Sequence, residues 1–215
     1  HCVSRCVRRA FLAGEGYEHR RGWIERRLQY LSGVFACEIA GFSCMQNHVH
    51  SILRMKPMET ASWSDREVVV RWLRAFPGHW DAEDFADASQ VDEVRVERLV
   101  QDAEWVAKRR ERLGSLSWFM RALCEVIARR ANIEDNCTGR FWEGRYSSTP
   151  LLDQAALVAC MAYVDLNPIR AQVAESVETS AHTSGKARYE DAATQLEPAA
   201  GQRQQQQQGQ QQQQQ

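Results

Sequence analysis

The spacing of apolar and polar side chains predicts four elements within the first 55 residues. Residues 1–12 alternate imperfectly, which predicts a strand that ends at nearby glycines. Residues 18–31 have helical spacing, and the recurring side chains are Trp23, Ile24, Arg27, Leu28 and Leu31. Residues 34–45 and 48–55 have the β-branched, aromatic and apolar content of strands. The order strand, helix, strand, strand is the front half of a ferredoxin-like sandwich.

The same periodicities return after a charged stretch. Side chains at helical spacing predict a helix that packs on the core, and they are Leu116, Phe119, Met120, Leu123 and Ile127. Residues 139–151 predict a strand or hairpin arm. A last helix begins after Asp153, a good N-cap residue, and Pro168 limits it. The predicted fold class is therefore α+β, a ferredoxin-like or RRM-like sandwich with a central antiparallel sheet.

Two segments depart from this pattern. Residues 61–112 are charged, with predicted helices at about 64–75 and 91–112, and we interpret them as a helical insertion. Hydrophobic periodicity fades after about residue 172, and residues 201–215 are almost pure glutamine. We therefore expect one catalytic domain over residues 1–172 and a structureless tail over residues 173–215 that takes no part in the chemistry.

The composition indicates where in the cell the protein is expected to work. The chain has no run of about 18 apolar residues, which a membrane span would need, and no charged-then-apolar leader. Seven cysteines are scattered without paired spacing, as is typical of reduced thiols. We expect a cytoplasmic, nucleoid-associated protein with no membrane partner.

Charge is unevenly distributed, although the net charge is −1. Residues 1–30 carry seven Arg against three Glu, and residues 106–147 carry nine Lys plus Arg against five acids. Residues 61–105 carry eleven acids against five Arg. Affinity for nucleic acid comes from cations facing phosphates, so the basic segments are candidates for a DNA path. Solvated helix faces explain a single charge run equally well.

His48-Val49-His50 is the first group of residues suited to metal chemistry. Side chains two residues apart on a strand share a face, so both imidazoles would stand close enough to hold one ion. A chance pair of histidines explains the spacing equally well. Cys44 leaves a structural zinc site as a further alternative, although no second Cys or His pair completes it.

Tyr163 and Asn167 form the second group. Four residues apart on a helix, they share a face, and the Asn167 carbonyl would complete a coordination sphere beside a reacting hydroxyl. The alternatives are ordinary aromatic packing for Tyr163 and a helix terminus before proline for Asn167.

Three ordered motifs link these groups. They are Gln46-Asn47-His48-Val49-His50, then Arg140-Phe141-Trp142-Glu143-Gly144-Arg145-Tyr146, then Tyr163-Val164-Asp165-Leu166-Asn167-Pro168-Ile169-Arg170-Ala171. Together with a basic first strand, they resemble the REP-associated tyrosine transposases, members of the HUH superfamily of single-tyrosine nucleases. The resemblance spans residues 1–172 without the insertion.

The resemblance implies a role for each matching residue. It implies that His48, His50 and Asn167 bind a divalent metal, and that Tyr163 attacks DNA. The expected reaction is nicking and strand transfer of single-stranded, hairpin-forming DNA through a 5′-phosphotyrosine, in transposition. We expect Mg²⁺ or Mn²⁺ as the cofactor, because both are hard ions that polarise phosphate oxygens.

The resemblance also implies a basic surface that grips a DNA hairpin. The candidate DNA-binding residues are Arg5, Arg8, Arg9, Arg140, Trp142, Arg145, Tyr146 and Arg170. Trp142 and Tyr146 would stack on unpaired bases, and core packing is the alternative for Trp142.

Two other functions stay open at this point. One is a domesticated DNA-binding protein that keeps the fold without cleavage. The other is a zinc-dependent hydrolase, which would need further His or acidic ligands. The sequence also leaves open whether the chain is a monomer or a homodimer.

Overall fold

A four-stranded antiparallel sheet lies at the centre of the computed structural model, which describes residues 1–77 and 91–194. The strands are β1 (Cys2–Arg5), β2 (Cys37–Cys44), β3 (His48–Met55) and β4 (Ser147–Ser148). Their spatial order is β2-β3-β1-β4, so β1 and β3 are central. The predicted α+β class with a central antiparallel sheet is confirmed.

Helices connect and cover the strands. Those bounded within the described residues are α1 (His19–Val34), α2 (Asp65–Ala75), α3 (Glu93–Val100), α4 (Ala103–Leu113), α5 (Leu116–Glu134) and α6 (Gln154–Arg170). Without α2–α4 the order is β-α-β-β-α-β followed by α6. That order is consistent with a ferredoxin-like sandwich, to which α6 is added.

The core lies on one face of the sheet. Helix α1 buries Trp23, Ile24, Leu28 and Leu31, the side chains that its periodicity selects. Helix α5 packs beside it, and Phe35 and Phe119 meet edge to face at 5.5 Å between ring centroids. Val49 on β3 is buried in this same core. The opposite face of the sheet is therefore left for α6.

The predicted insertion is helical and comprises α2, α3 and α4 within the described residues. Ser64 caps α2 by accepting the Glu67 N–H, and Asp102 caps α4 by accepting the Trp105 N–H. Val68 and Leu73 of α2 join the hydrophobic core. The insertion therefore extends the core that α1 and α5 form.

The first strand is shorter than predicted. It ends at Arg5, because Arg8 and Arg9 adopt left-handed backbone angles, with φ of 53° and 55°, that no strand accommodates. The predicted arm over 139–151 contains only β4 and a single bridge between Cys6 and Trp142. Outside β4 and this bridge, residues 139–151 are thus irregular.

The start of the expected tail is folded. Residues 172–194 pack against β2 and α6, and residues 184–194 are helical. Thr183 bridges Ser43, and the Cys44 N–H donates to the His182 carbonyl at 3.0 Å. The glutamine-rich residues 201–215 lie outside the described residues. Among the helices of the described ranges, none is long and apolar enough to cross a bilayer.

Candidate metal and tyrosine site

His48 and His50 lie side by side on β3. Their ring centroids are 4.8 Å apart and the rings are nearly perpendicular. Val49 between them points to the core face, as strand alternation requires. His50 is only 3% exposed, and His48 is half-buried. The two imidazoles thus face the side of the sheet that α6 covers.

Hydrogen bonds orient both rings. His48 Nδ1 donates to Asn47 Oδ1 at 2.7 Å, and Asn167 lies close enough to affect the pKa of the His48 ring. His50 Nδ1 lies 2.9 Å from His1 Nε2, and either nitrogen can donate. His50 Nε2 is buried and has no hydrogen-bond partner within the described chain. An unpaired buried nitrogen of this kind is expected where a ligand belongs.

The environment keeps both rings neutral. Burial, followed by the positive charge of Arg5, lowers the pKa of His48, and the side chain of Asn167 opposes this shift. Burial, then the charges of His48 and Arg5, lower the pKa of His50 to about 4. Near pH 7 His50 is therefore an uncharged imidazole, the form that binds metals.

Helix α6 brings Tyr163 and Asn167 to the histidines. The Tyr163 ring stands edge-on to His50, with 5.6 Å between centroids. Asn167 lies one helical turn further along, beside His48. Tyr163 stays 41% exposed, so a substrate can reach this side chain. All four residues that carry the predicted chemistry meet in one place.

The helix does not end at Pro168 as predicted. It continues to Arg170, and the Ala171 N–H bonds to the Asn167 carbonyl. A proline in the last turn removes a single helical hydrogen bond, which the end of a helix tolerates.

Sequence reasoning missed His1, which appeared to have no useful neighbours. Its ring stacks on His50 at 5.1 Å between centroids and approaches Tyr163 at 6.3 Å. This contact depends on β1 pairing with β3, where Val3 faces His50. Only the strand register could have revealed it, and register is a non-local property.

The donor set fits a divalent ion in part. Two neutral imidazoles and one amide oxygen are close together, and His50 Nε2 is unpaired. No cluster of three His, Cys, Asp or Glu residues within residues 1–77 and 91–194 could hold a metal. Cys44 is fully buried on the core face, where burial raises the pKa of its thiol. Waters and substrate oxygens would have to supply the remaining ligands. Mg²⁺ and Mn²⁺ commonly bind in this way.

Cationic side chains surround the four residues. Arg5 is exposed on β1 opposite His48, and the Arg170 guanidinium lies 5.8 Å from the centre of the Tyr163 ring. Arg8 and Arg9 are exposed at the left-handed turn, where Asn47 Nδ2 donates to the Arg9 carbonyl at 3.1 Å. The same Asn47 that orients His48 therefore also holds this basic turn.

The middle motif, residues 140–146, contributes less directly to the candidate site. Arg140 and Arg145 are exposed in the irregular segment that precedes β4. Trp142 donates its indole N–H to the Cys124 carbonyl at 2.8 Å and packs on Phe141, which favours a structural role. Tyr146 is partly buried, and its hydroxyl lies 3.2 Å from Ser117 Oγ.

A scan of the chain against protein-family models gave no match, and neither did searches of the curated proteins and of the solved structures.

Proposed function

We propose that the chain nicks and rejoins single-stranded DNA through a 5′-phosphotyrosine on Tyr163. The observation that carries this proposal is the placement of an exposed tyrosine against a buried, neutral histidine whose Nε2 has no hydrogen-bond partner among residues 1–77 and 91–194. Asn167, one turn from Tyr163, lies beside the second histidine, His48. A packing tyrosine would have no need of such neighbours.

The reaction balances without a nucleotide cofactor. Tyr163 Oη forms a bond to phosphorus and loses its proton, while the bond from phosphorus to the 3′ oxygen breaks. The 3′ oxygen gains a proton, which leaves a free 3′-hydroxyl and a 5′-phosphotyrosine. A 3′-hydroxyl from another DNA end then attacks the same phosphorus and restores the tyrosine. Nicking and joining are thus one step run in two directions.

His48, His50 and Asn167 are the residues that would hold Mg²⁺ or Mn²⁺. Such an ion, when bound, supplies positive charge to a non-bridging phosphate oxygen. Asn47 and His1 fix the orientation of the two imidazoles through their hydrogen bonds.

The basic residues around the site supply binding. Exposed guanidiniums pair with phosphate oxygens in charge-assisted hydrogen bonds, and those near the site are Arg5, Arg8, Arg9 and Arg170. Arg140 and Arg145 would extend the contact along the middle motif. We infer that the substrate is a hairpin-forming end whose single strand reaches Tyr163, in transposition or in processing of such repeats.

A covalent adduct tests the proposal directly. Purified protein is incubated with 3′-end-labelled, hairpin-forming single-stranded DNA and Mn²⁺, and the products are separated under denaturing conditions. We expect a labelled protein band from the wild type and none from Tyr163→Phe, which removes one oxygen and little volume. Tyr146→Phe is the matched control and should keep the band. An adduct that survives in Tyr163→Phe and disappears in Tyr146→Phe would move the nucleophile to Tyr146.

A further inference from the structure

A row of alternating arginine and tryptophan side chains runs between the insertion and α5. We call it the Arg–Trp row, and its members in spatial order are Arg121, Trp118, Arg112, Trp72, Arg109 and Trp105. Trp72 comes from α2, three members come from α4 and two come from α5. The row therefore exists only because the insertion packs against the catalytic domain.

The distances define a compact cluster, in which Trp72 also contacts Trp118 at 5.3 Å and Phe76 at 4.5 Å between ring centroids. Arg112 lies 4.2 Å from the centre of the Trp118 ring, and Arg109 lies 4.2 Å from that of Trp105. Trp72 stands between them, 5.8 Å from Arg112 and 5.4 Å from Arg109. These separations are within the range of cation–π contact. The rings are partly exposed rather than sealed in the core.

The positive charge of the row is incompletely balanced. Arg109 and Arg112 form no ion pair with any residue in 1–77 or 91–194, and Arg109 Nε is buried without a hydrogen-bond partner there. By contrast Arg71, which lies 4.0 Å from the centre of the Trp63 ring, pairs with Glu67 at 2.8 Å. Burial, followed by the nearby charge of Arg112, lowers the pKa of Arg109, and the carboxylate of Asp102 opposes this shift. Two like charges held together in this way favour an anionic ligand.

Alternation identifies the class of that ligand. A single-stranded nucleic acid presents one phosphate and one flat base per nucleotide, which matches cations interleaved with aromatic rings. An acidic peptide would satisfy the guanidiniums but would offer no flat ring to the exposed parts of the tryptophans. The row also meets the catalytic domain near a sheet edge, because Ser117, the neighbour of Trp118, contacts Tyr146 just before β4.

We propose that the Arg–Trp row is a second binding surface for single-stranded nucleic acid, distinct from the histidine–tyrosine site. Phosphates would face Arg109, Arg112 and Arg121, and bases would stack on the partly exposed rings. This surface does not depend on cleavage by Tyr163. It gives the insertion a role in holding the strand that leads to or from the sheet edge.

Binding of labelled oligothymidylate of about 20 nucleotides, followed by fluorescence anisotropy between about 50 mM and about 200 mM salt, tests the proposal. We expect Arg109→Gln/Arg112→Gln to weaken binding about tenfold and to lower the slope of log affinity against log salt by about 1.4. The matched control is Arg95→Gln/Arg98→Gln, which removes the same charge from exposed positions of α3. It should leave affinity and slope near the wild-type values.

A second matched pair of variants keeps the proposal testable if the double variant Arg109→Gln/Arg112→Gln fails to fold. Arg121 and Arg129 both pair with Glu125 and are 59% and 56% exposed, but only Arg121 lies over Trp118. Arg121→Gln should lower the slope by about 0.7, and Arg129→Gln should not. Equal slopes in the two variants would overturn the proposal. Displacement of the oligonucleotide by polyglutamate as readily as by unlabelled oligothymidylate would also overturn it, in favour of an acidic peptide. The adduct assay with Tyr163→Phe tests only the histidine–tyrosine site, so its outcome does not decide this proposal.

Discussion

His1 Nε2 and His50 Nδ1 share a hydrogen bond of 2.9 Å, and this contact leaves the other nitrogen of His50 as the one that can bind a ligand. The ring is then fixed on one side by a neighbour and free on the other. Ligands of metal ions are commonly oriented in this way by a second residue.

We expect His1→Ala to weaken binding of Mn²⁺ about 10- to 100-fold, because the His50 ring would lose its orientation. Isothermal titration with Mn²⁺ in the absence of DNA measures this effect independently of cleavage. His19→Ala is the control, since His19 pairs with Glu134 at the far side of the core. An affinity for Mn²⁺ that is the same in both variants would contradict the orienting role.

The three proposed ligands should differ in importance. We expect His48→Ala and His50→Ala each to lower the rate of adduct formation by about 100-fold or more, and Asn167→Ala to have a smaller effect, because a neutral amide is the weakest donor. Chelation should abolish adduct formation by the wild type, and added Mn²⁺ or Mg²⁺ should restore it. Full activity in excess chelator would contradict any metal role.

Arg5 should bind a phosphate near the histidines. Arg5→Glu is expected to weaken binding of single-stranded DNA and to lower its salt slope by about 0.7. Arg54→Glu is the control, because Arg54 is 77% exposed near the other end of β3, six residues beyond His48. Arg145→Glu should behave as Arg5→Glu does. Charge reversal at Asp81, Glu83 or Asp84, which lie outside the described residues, is expected to leave affinity unchanged or slightly raised.

The segment after α6 should stabilise the fold. Asp165 of α6 pairs with Arg188 and lies 3.4 Å from Ser184 Oγ, which also receives the Phe42 N–H at 2.8 Å. A chain that ends at residue 171 loses these bonds, and we expect its Tm to fall by about 5–10 °C. A chain that ends at residue 194 should melt as the full chain does. Circular dichroism melts of the two truncations decide the matter, and Arg188→Gln should give a smaller shift in the same direction.

The parts of the site that sequence could predict are those set by local periodicity. Alternation along β3 brings His48 and His50 to one face, and helical spacing brings Tyr163 and Asn167 to another. The contact between those two faces, and the placement of His1 and Arg5 beside them, depends on strand register and helix docking. These are non-local properties that spacing alone does not report.

The C-terminal segment escaped prediction for a different reason. Residues 172–194 carry few apolar side chains, so hydrophobic periodicity gave no signal. They are held instead by main-chain pairing at Ser43 and Cys44 and by short hydroxyl side chains such as Ser184. Bonds of this kind can order a segment that composition assigns to a tail.

The left-handed turn at Arg8 and Arg9 has opposite effects on the stability of the fold and on the proposed DNA binding. A side chain at such backbone angles costs about 1 kcal/mol that glycine would not. Glycine at both positions should therefore raise the free energy of unfolding, and the same change would remove two exposed cations near the histidine–tyrosine site. If the chain binds DNA as proposed, this turn is a place where a more stable variant would bind DNA more weakly.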